Sequence, residues 1–214
     1  MAPTFIAIEG IDGVGKTSVR RSLYTQLNAL GFATVTIPSH SWLDRRASRI
    51  IGAAKYLGHE IPRSELRNAY LTDKQCLAEK VIIPKLQTHT VVCDRYLLSD
   101  IVYLHVIWHI PMEEIFEQIE ARRLFLPSIT IMVESDVTFA MERLHRRDGD
   151  KLDIWETVEY QTALRDAFRQ AARTYSSLTG RLIFFENSLS IDSLELRVGR
   201  ELVDALECQS AVLV

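Results

Sequence analysis

The sequence has few cysteines, no excess of charge of one sign and no long apolar run. Its three cysteines, Cys76, Cys93 and Cys208, form no C-x-x-C pair, which excludes zinc ribbons and thioredoxin-like redox sites and favours a reducing, cytoplasmic compartment. The net charge of -3 predicts neither a nucleic-acid partner nor a membrane surface. The longest apolar stretch, residues 101–110, is too short to cross a bilayer, and no basic leader precedes the first apolar run.

The rest of the composition is that of an ordinary globular protein, with 47% hydrophobic and 25% charged residues among 214. This length predicts a single domain over residues 1–214. Such a domain buries enough apolar surface to be stable without disulfides or a structural metal.

Short apolar runs alternate along the chain with longer segments of helical spacing. We expect five strands, over residues 5–8, 33–37, 90–93, 129–133 and 182–185. Helices are predicted over residues 17–30, 46–57, 63–86, 99–108, 112–124, 137–144, 154–178 and 190–206, and a mobile charged loop over residues 143–151. This alternation predicts an α/β fold in three layers, with a five-stranded parallel sheet and helices on both of its faces.

The strongest motif is a complete G-x-x-x-x-G-K-[ST] sequence between the first predicted strand and the first predicted helix. Its glycines let successive backbone N–H groups point at an anion, and the helix N-terminus adds partial positive charge. The lysine can reach the β- and γ-phosphates, and the threonine hydroxyl can bind Mg²⁺. We therefore expect a P-loop that binds ATP through Gly10, Asp12, Gly13, Val14, Gly15, Lys16, Thr17 and Ser18.

This motif alone leaves GTPases, ATPases, nucleoside kinases and nucleotide kinases open. The sequence contains no Asn-Lys-x-Asp motif, which weighs against a GTPase. Three further segments resemble the thymidylate kinase family: Asp94-Arg95-Tyr96 after the third strand, Asp12 inside the P-loop, and the arginine-bearing segment 143–156. The resemblance covers nearly the whole chain. It implies a homodimeric kinase that transfers the γ-phosphoryl group of MgATP to thymidylate or a closely related deoxynucleotide.

The resemblance also implies which cations act in catalysis. Lys16 would neutralise the phosphates of ATP, and a catalytic arginine would come from the P-loop or from a lid over about residues 143–153. Because Gly13 occupies the P-loop position, the lid must supply this arginine. Its candidates are Arg143, Arg146 and Arg147.

The same resemblance implies roles for three residues at the carboxyl ends of the predicted strands. Arg95 would hold the acceptor phosphate, and Asp94 would take part with Thr17 in the magnesium and water network. Asp12 would accept a hydrogen bond from the 3′-hydroxyl of the acceptor sugar. The carboxyl ends of parallel strands are where such sheets bind their ligands.

The acceptor pocket departs from the family pattern. Tyr70 and Lys74 share a helix face. The resemblance implies that Tyr70 stacks on the base and that Lys74 donates a hydrogen bond to it. The family carries an arginine, with its planar set of N–H donors, at the lysine position. Tyr103 would crowd the 2′ position of the sugar and favour deoxyribose, beside Ser99. Asp100 stands where a neutral side chain is usual. A carboxylate there suits a base or sugar that presents extra N–H or O–H groups.

The arginine that family members carry beside the proline after the second strand is missing at Pro38, although Arg45 and Arg46 follow. Fewer cations for an acceptor phosphate keep a deoxynucleoside kinase, which phosphorylates a free 5′-hydroxyl, open as the alternative. That family, however, ends its third strand in Glu-Arg-Ser, whereas this chain has Asp94 and Tyr96 around the arginine. A nucleoside monophosphate kinase is therefore the favoured prediction.

Overall fold

Five strands form one parallel sheet in the order β2-β3-β1-β4-β5, in a computed structural model that describes residues 3–149 and 154–187. The central strand β1 pairs with β3 and β4, so that Ile6 lies opposite Val92 on one side and Ile129 on the other. The strands are β1 (Phe5–Glu9), β2 (Thr34–Ile37), β3 (Thr90–Asp94), β4 (Ile129–Glu134) and β5 (Arg181–Glu186).

The sheet is covered on both faces at its centre. Every residue of β1 is buried, and successive side chains of a strand point to opposite faces. Continuous burial therefore requires helices on both sides, which explains why the strand is apolar throughout rather than alternating. The predicted α/β fold with a five-stranded parallel sheet is confirmed.

Eight α-helices surround the sheet within the described ranges. They are α1 (Lys16–Ala29), α2 (Arg45–Tyr56), α3 (Arg63–Leu77), α4 (Ile83–Lys85), α5 (Leu97–Trp108), α6 (Met112–Ala121), α7 (Val137–Asp148) and α8 (Val158–Thr174). A π-helical segment, Ala78–Ile82, joins α3 directly to α4. Across these same residues, no helix has both the length and the apolar character needed to cross a bilayer.

Two predicted boundaries on either side of the lid are wrong. The loop expected over residues 143–151 is helical as far as Asp148, because arginine is a good helix former and basic residues in a last turn interact favourably with the helix dipole. The helix expected from residue 154 begins at Val158, where the Thr157 hydroxyl accepts a hydrogen bond from Tyr160 N at 3.3 Å. The predicted helix over residues 190–206 and lid residues 150–153 lie outside the described residues.

Candidate active site

The P-loop connects β1 to α1 and is packed against α7. Gly13 has φ 76°, in the left-handed region, and a Cβ there would lie 2.2 Å from the backbone oxygen of Ala140. The loop therefore needs glycine for both conformation and space. Gly15 O accepts from Ser18 N and Val19 N at 3.0 and 3.1 Å, which closes the loop onto the first turn of α1.

Two distant side chains hold this loop in place. Asn187, which follows β5, donates through Nδ2 to Val14 O at 2.6 Å. Gln161 of α8 is buried and accepts from Asp12 N at 3.1 Å. Both are amides that bond the loop backbone, and the P-loop pattern in the sequence does not point to either of them.

Lys16 lies at the start of α1 with its side chain buried. Its ammonium donates to Ile11 O at 2.5 Å and lies 3.9 Å from Asp12 Oδ1. Burial lowers the pKa of Lys16 to about 7, with Arg95 contributing in the same direction. An anion bound in the loop would favour the charged form, so this lysine fits the predicted phosphate contact.

Asp12 joins the P-loop to the residue after β3. Its carboxylate pairs with the Arg95 guanidinium, and Tyr103 Oη donates to Oδ2 at 2.6 Å. Burial alone would raise the pKa of Asp12, but the cations Arg95 and Lys16 together hold it well below its usual range. The structure thus brings together the predicted residues Asp12, Lys16, Arg95 and Tyr103.

Arg95 is fixed by more than this ion pair. It donates to Gly10 O at 2.6 Å and to Ser99 Oγ at 3.2 Å. Its φ of 72° is unusual for a residue other than glycine, and such backbone strain is common at functional sites. Asp94 does not pair with Arg95. It lies 3.2 Å from Nη1 of Arg20, which follows Thr17 by three residues on α1.

Glu9, the last residue of β1, is a site residue that the sequence reasoning missed. It is buried and accepts from Tyr96 N at 2.8 Å and from the Ser99 hydroxyl. Burial raises its pKa, and these hydrogen bonds oppose the change. A carboxylate at the end of an otherwise apolar strand was the available signal. Glu9 therefore orients the turn between β3 and α5.

A cavity of about 250 Å³ opens beside Arg95. The predicted substrate residues Asp12, Tyr70, Ser99, Asp100 and Tyr103 line it. Its wall also contains residues that the sequence did not single out for this pocket: Ser39, His40, Lys55, Ile107, Trp108, Trp155 and Glu156. The side chains come from the carboxyl ends of the central strands and from the helices that follow, so one pocket collects residues far apart in sequence.

Lys74 and Asp100 form a buried ion pair at this pocket. Lys74 Nζ lies 3.3 Å from Asp100 Oδ1 and donates to Ser39 O at 2.5 Å. Burial raises the pKa of Asp100 to about 7, and the Lys74 charge opposes that rise. Lys74 was predicted to face the base, but its ammonium is instead held between two protein oxygens.

The segment after β2 is anchored by a buried carboxylate. Asp73 accepts from His40 Nδ1 at 3.0 Å and from the backbone N–H groups of Ser41 and Trp42. Burial lowers the pKa of His40 to about 4 despite the opposing bond to Asp73. This network places the His40 ring 5.4 Å from the ring of Tyr70.

The two arginines after Pro38 do not supply the missing acceptor cation. Arg45 is exposed, and Arg46 pairs with Glu65 at 3.1 Å with 83% of its side chain exposed. Lys55, at the other end of α2, lines the cavity. Helix α2 places Lys55 at the cavity, a position that the spacing of residues in the sequence does not predict.

The three lid arginines occupy different positions. Arg143 Nη1 lies 3.5 Å from Gly13 O, against the P-loop. Arg147 lines the cavity beside Arg95 and lies 3.7 Å from Glu156 Oε1. Arg146 is exposed. Helix α7 thus places Arg143 beside the P-loop and Arg147 beside the cavity, the two predicted nucleotide sites.

Comparison with known proteins gives one consistent family. The family model described as thymidylate kinase matches residues 8–191. A probable thymidylate kinase of Archaeoglobus fulgidus is 30% identical over 170 residues, covering 78% of this chain and 81% of that protein. The thymidylate kinase of Leptospira borgpetersenii is 28% identical over 78% of this chain and 80% of its own. That of Geobacillus thermodenitrificans is 27% identical over 89% and 85%.

Proposed function

This chain belongs to the thymidylate kinase family and is an ATP-dependent nucleoside monophosphate kinase, and we propose that it phosphorylates thymidylate or a closely related deoxynucleotide. The donor is MgATP and the product is the nucleoside diphosphate. The reaction places two polyanions end to end. Two unit charges 4 Å apart interact by about 4 kcal/mol at an effective dielectric constant of about 20, so converging cations must offset several such repulsions.

The donor half of the site is the P-loop. Its backbone N–H groups and Lys16 bind the β- and γ-phosphates. Thr17 and Asp94 would supply hard oxygen ligands of the kind that Mg²⁺ prefers, and the ion pair with Arg20 holds Asp94 beside α1. When bound, the metal shields the phosphate charges.

The acceptor half is the cavity beside Arg95. The guanidinium presents N–H donors in the planar arrangement that binds phosphate, while Asp12 accepts from the 3′-hydroxyl and Tyr103 limits space at the 2′ position. Lys55 is a second cation on the cavity wall. It replaces the arginine missing beside Pro38 as a positive charge for the acceptor phosphate.

Asp12 supplies the observation that carries the proposal. Its carboxylate contacts Arg95 and lies 3.9 Å from Lys16 Nζ, so the donor loop and the acceptor cavity share one wall. Phosphoryl transfer depends mainly on alignment and charge stabilisation, and this arrangement supplies both. Arg143, beside the P-loop, and Arg147, at the acceptor cavity, complete the cation set.

A product assay tests the proposal. Nucleosides and their monophosphates are incubated separately with MgATP, and the products are identified by mass. Diphosphates made only from monophosphates support it. Monophosphates made from free nucleosides would instead select the deoxynucleoside kinase alternative, and the absence of any product would contradict both.

A further inference from the structure

One carboxylate oxygen of a residue that lines the acceptor cavity has no hydrogen-bond partner among the residues that the structure describes. Asp100 is 4% exposed and lines the cavity. Its Oδ1 faces Lys74, whereas Oδ2 is buried without a hydrogen bond from any described residue. A buried polar atom without a hydrogen-bond partner costs roughly 1–3 kcal/mol. A ligand that donates an N–H or O–H group to Oδ2 would remove that cost.

The neighbouring lysine cannot supply the opposite chemistry. Lys74 is fully buried, and its ammonium is committed to Asp100 Oδ1 and to the carbonyl of Ser39. Among the described residues, Asp100 lines the cavity and Lys74 does not, so a carbonyl oxygen on the base would lie nearer the carboxylate residue than the lysine. Because the Lys74 charge favours the ionised form of Asp100 and an ionised carboxylate only accepts hydrogen bonds, Asp100 offers an acceptor to a ligand in the cavity.

His40 adds a second acceptor to the same cavity. Its Nδ1 lies 3.0 Å from Asp73 Oδ2, and an ionised carboxylate accepts only, so Nδ1 carries the proton. In the neutral ring Nε2 then has a free lone pair. His40 and Asp100 both line the cavity, and a group with two N–H donors bonds two acceptors.

Resting on the proposed function, we infer that the acceptor base carries an exocyclic amino group, as a cytosine ring does, and that Asp100 recognises it. An amino group offers two N–H donors at the ring edge, whereas a thymine ring offers one N–H between two carbonyl oxygens. The cavity of about 250 Å³ is below the usual range of about 300–1,000 Å³ for ligand pockets. Tyr70 and Trp108, with ring centroids 5.8 Å apart, form an aromatic wall that suits a single-ring base.

Two matched substrate pairs test this inference. The pairs are 5-methyl-dCMP with dTMP and dCMP with dUMP, whose members differ only in an amino or a carbonyl group at position 4 and the accompanying ring proton. We expect kcat/KM to be about 10- to 100-fold higher for the amino member of each pair. A preference for the carbonyl member overturns the inference and leaves the proposed function intact. If only free nucleosides are phosphorylated, or nothing is, the proposed function fails and the inference with it.

A variant assigns the preference to Asp100. Asp100→Asn presents an amide that can donate or accept, so the amino preference should fall at least tenfold. Asp166→Asn, the same change at a carboxylate whose side chain is 61% exposed, should retain it. If the single variant does not fold, Lys74→Met/Asp100→Asn removes the unpaired ammonium as well. An amino preference that survives in a folded Asp100 variant overturns the inference.

Discussion

Arg95 lines the cavity and is joined to the P-loop by its ion pair with the Asp12 carboxylate. It pairs with Asp12 and bonds Gly10 O, so its guanidinium is held in place before any acceptor arrives. A group held in this way loses little conformational freedom on binding. Its remaining donors are therefore suited to an acceptor phosphate.

Removing this guanidinium should weaken acceptor binding. For Arg95→Ala we expect the acceptor KM to rise about 10- to 100-fold, because a hydrogen bond to a charged group contributes about 1.5–3 kcal/mol. Steady-state kinetics with ATP held saturating measures this. Arg46→Ala, a change at an exposed surface arginine, is the control. An unchanged KM in Arg95→Ala would favour an acceptor without a phosphate.

His40 should make stability depend on pH. Burial lowers its pKa to about 4 from an ordinary 6.5, so the unfolded chain binds more protons than the folded one between these values. Protonation of His40 therefore leaves the free energy of unfolding unchanged above pH 6.5. It lowers that free energy by up to about 3 kcal/mol as the pH drops to 4.

Urea unfolding of wild type and His40→Asn from pH 4 to 7.5 checks this expectation. The difference between the two curves should narrow as pH falls through that window, which separates His40 from other groups that titrate there. His59→Asn, at an exposed histidine, controls for the loss of an imidazole. A constant difference across the window would contradict the assignment.

At the scale of elements, the P-loop is shaped by its contact with α7. Gly13→Ala would place a Cβ against Ala140 O in a left-handed backbone. We expect a loss of roughly 1–3 kcal/mol in the free energy of unfolding and a higher KM for ATP. Gly52→Ala is the control, since nothing lies within 4 Å of its Cβ position in α2. It should stabilise the protein by about 1 kcal/mol. Equal effects of the two substitutions would contradict this account of the loop.

Local patterns predicted the elements well where one signal dominates. Buried parallel strands are short apolar runs, and the glycine motif marks the turn from β1 to α1. The start of α8 was misplaced because Ile154 continues the apolar spacing, while the Thr157 cap sets the boundary. The predicted end of α7 is too early because dense charge also favours a loop, whereas here the charged residues form an exposed helix face.

The candidate site was predictable only in part, for a physical reason. Asp12, Lys16 and Arg95 belong to motifs beside strand ends, where parallel sheets bind ligands. Asn187, just after β5, and Gln161 of α8 hold the P-loop, and Lys55 reaches the cavity from α2. Tertiary packing creates these contacts, and no local spacing encodes them.

For the molecule as a whole, the strand order explains why the two proposed nucleotide sites lie side by side. β1 and β3 are neighbours at the centre of the sheet, so the P-loop after one and Arg95 after the other lie at the same edge. Helix α7 then extends toward both, with Arg143 at the P-loop and Arg147 at the cavity. The homodimer and the cytoplasmic location stay predictions.

The central claim is direct transfer of the γ-phosphoryl group between two bound nucleotides. Rapid-quench mixing of the protein with γ-labelled ATP, Mg²⁺ and a deoxynucleoside monophosphate tests it most directly. Label should enter the nucleoside diphosphate in a one-to-one ratio with ADP, and Lys16→Met should abolish this transfer while retaining the fold. Label found only in inorganic phosphate, or near-normal transfer in Lys16→Met, would contradict the account.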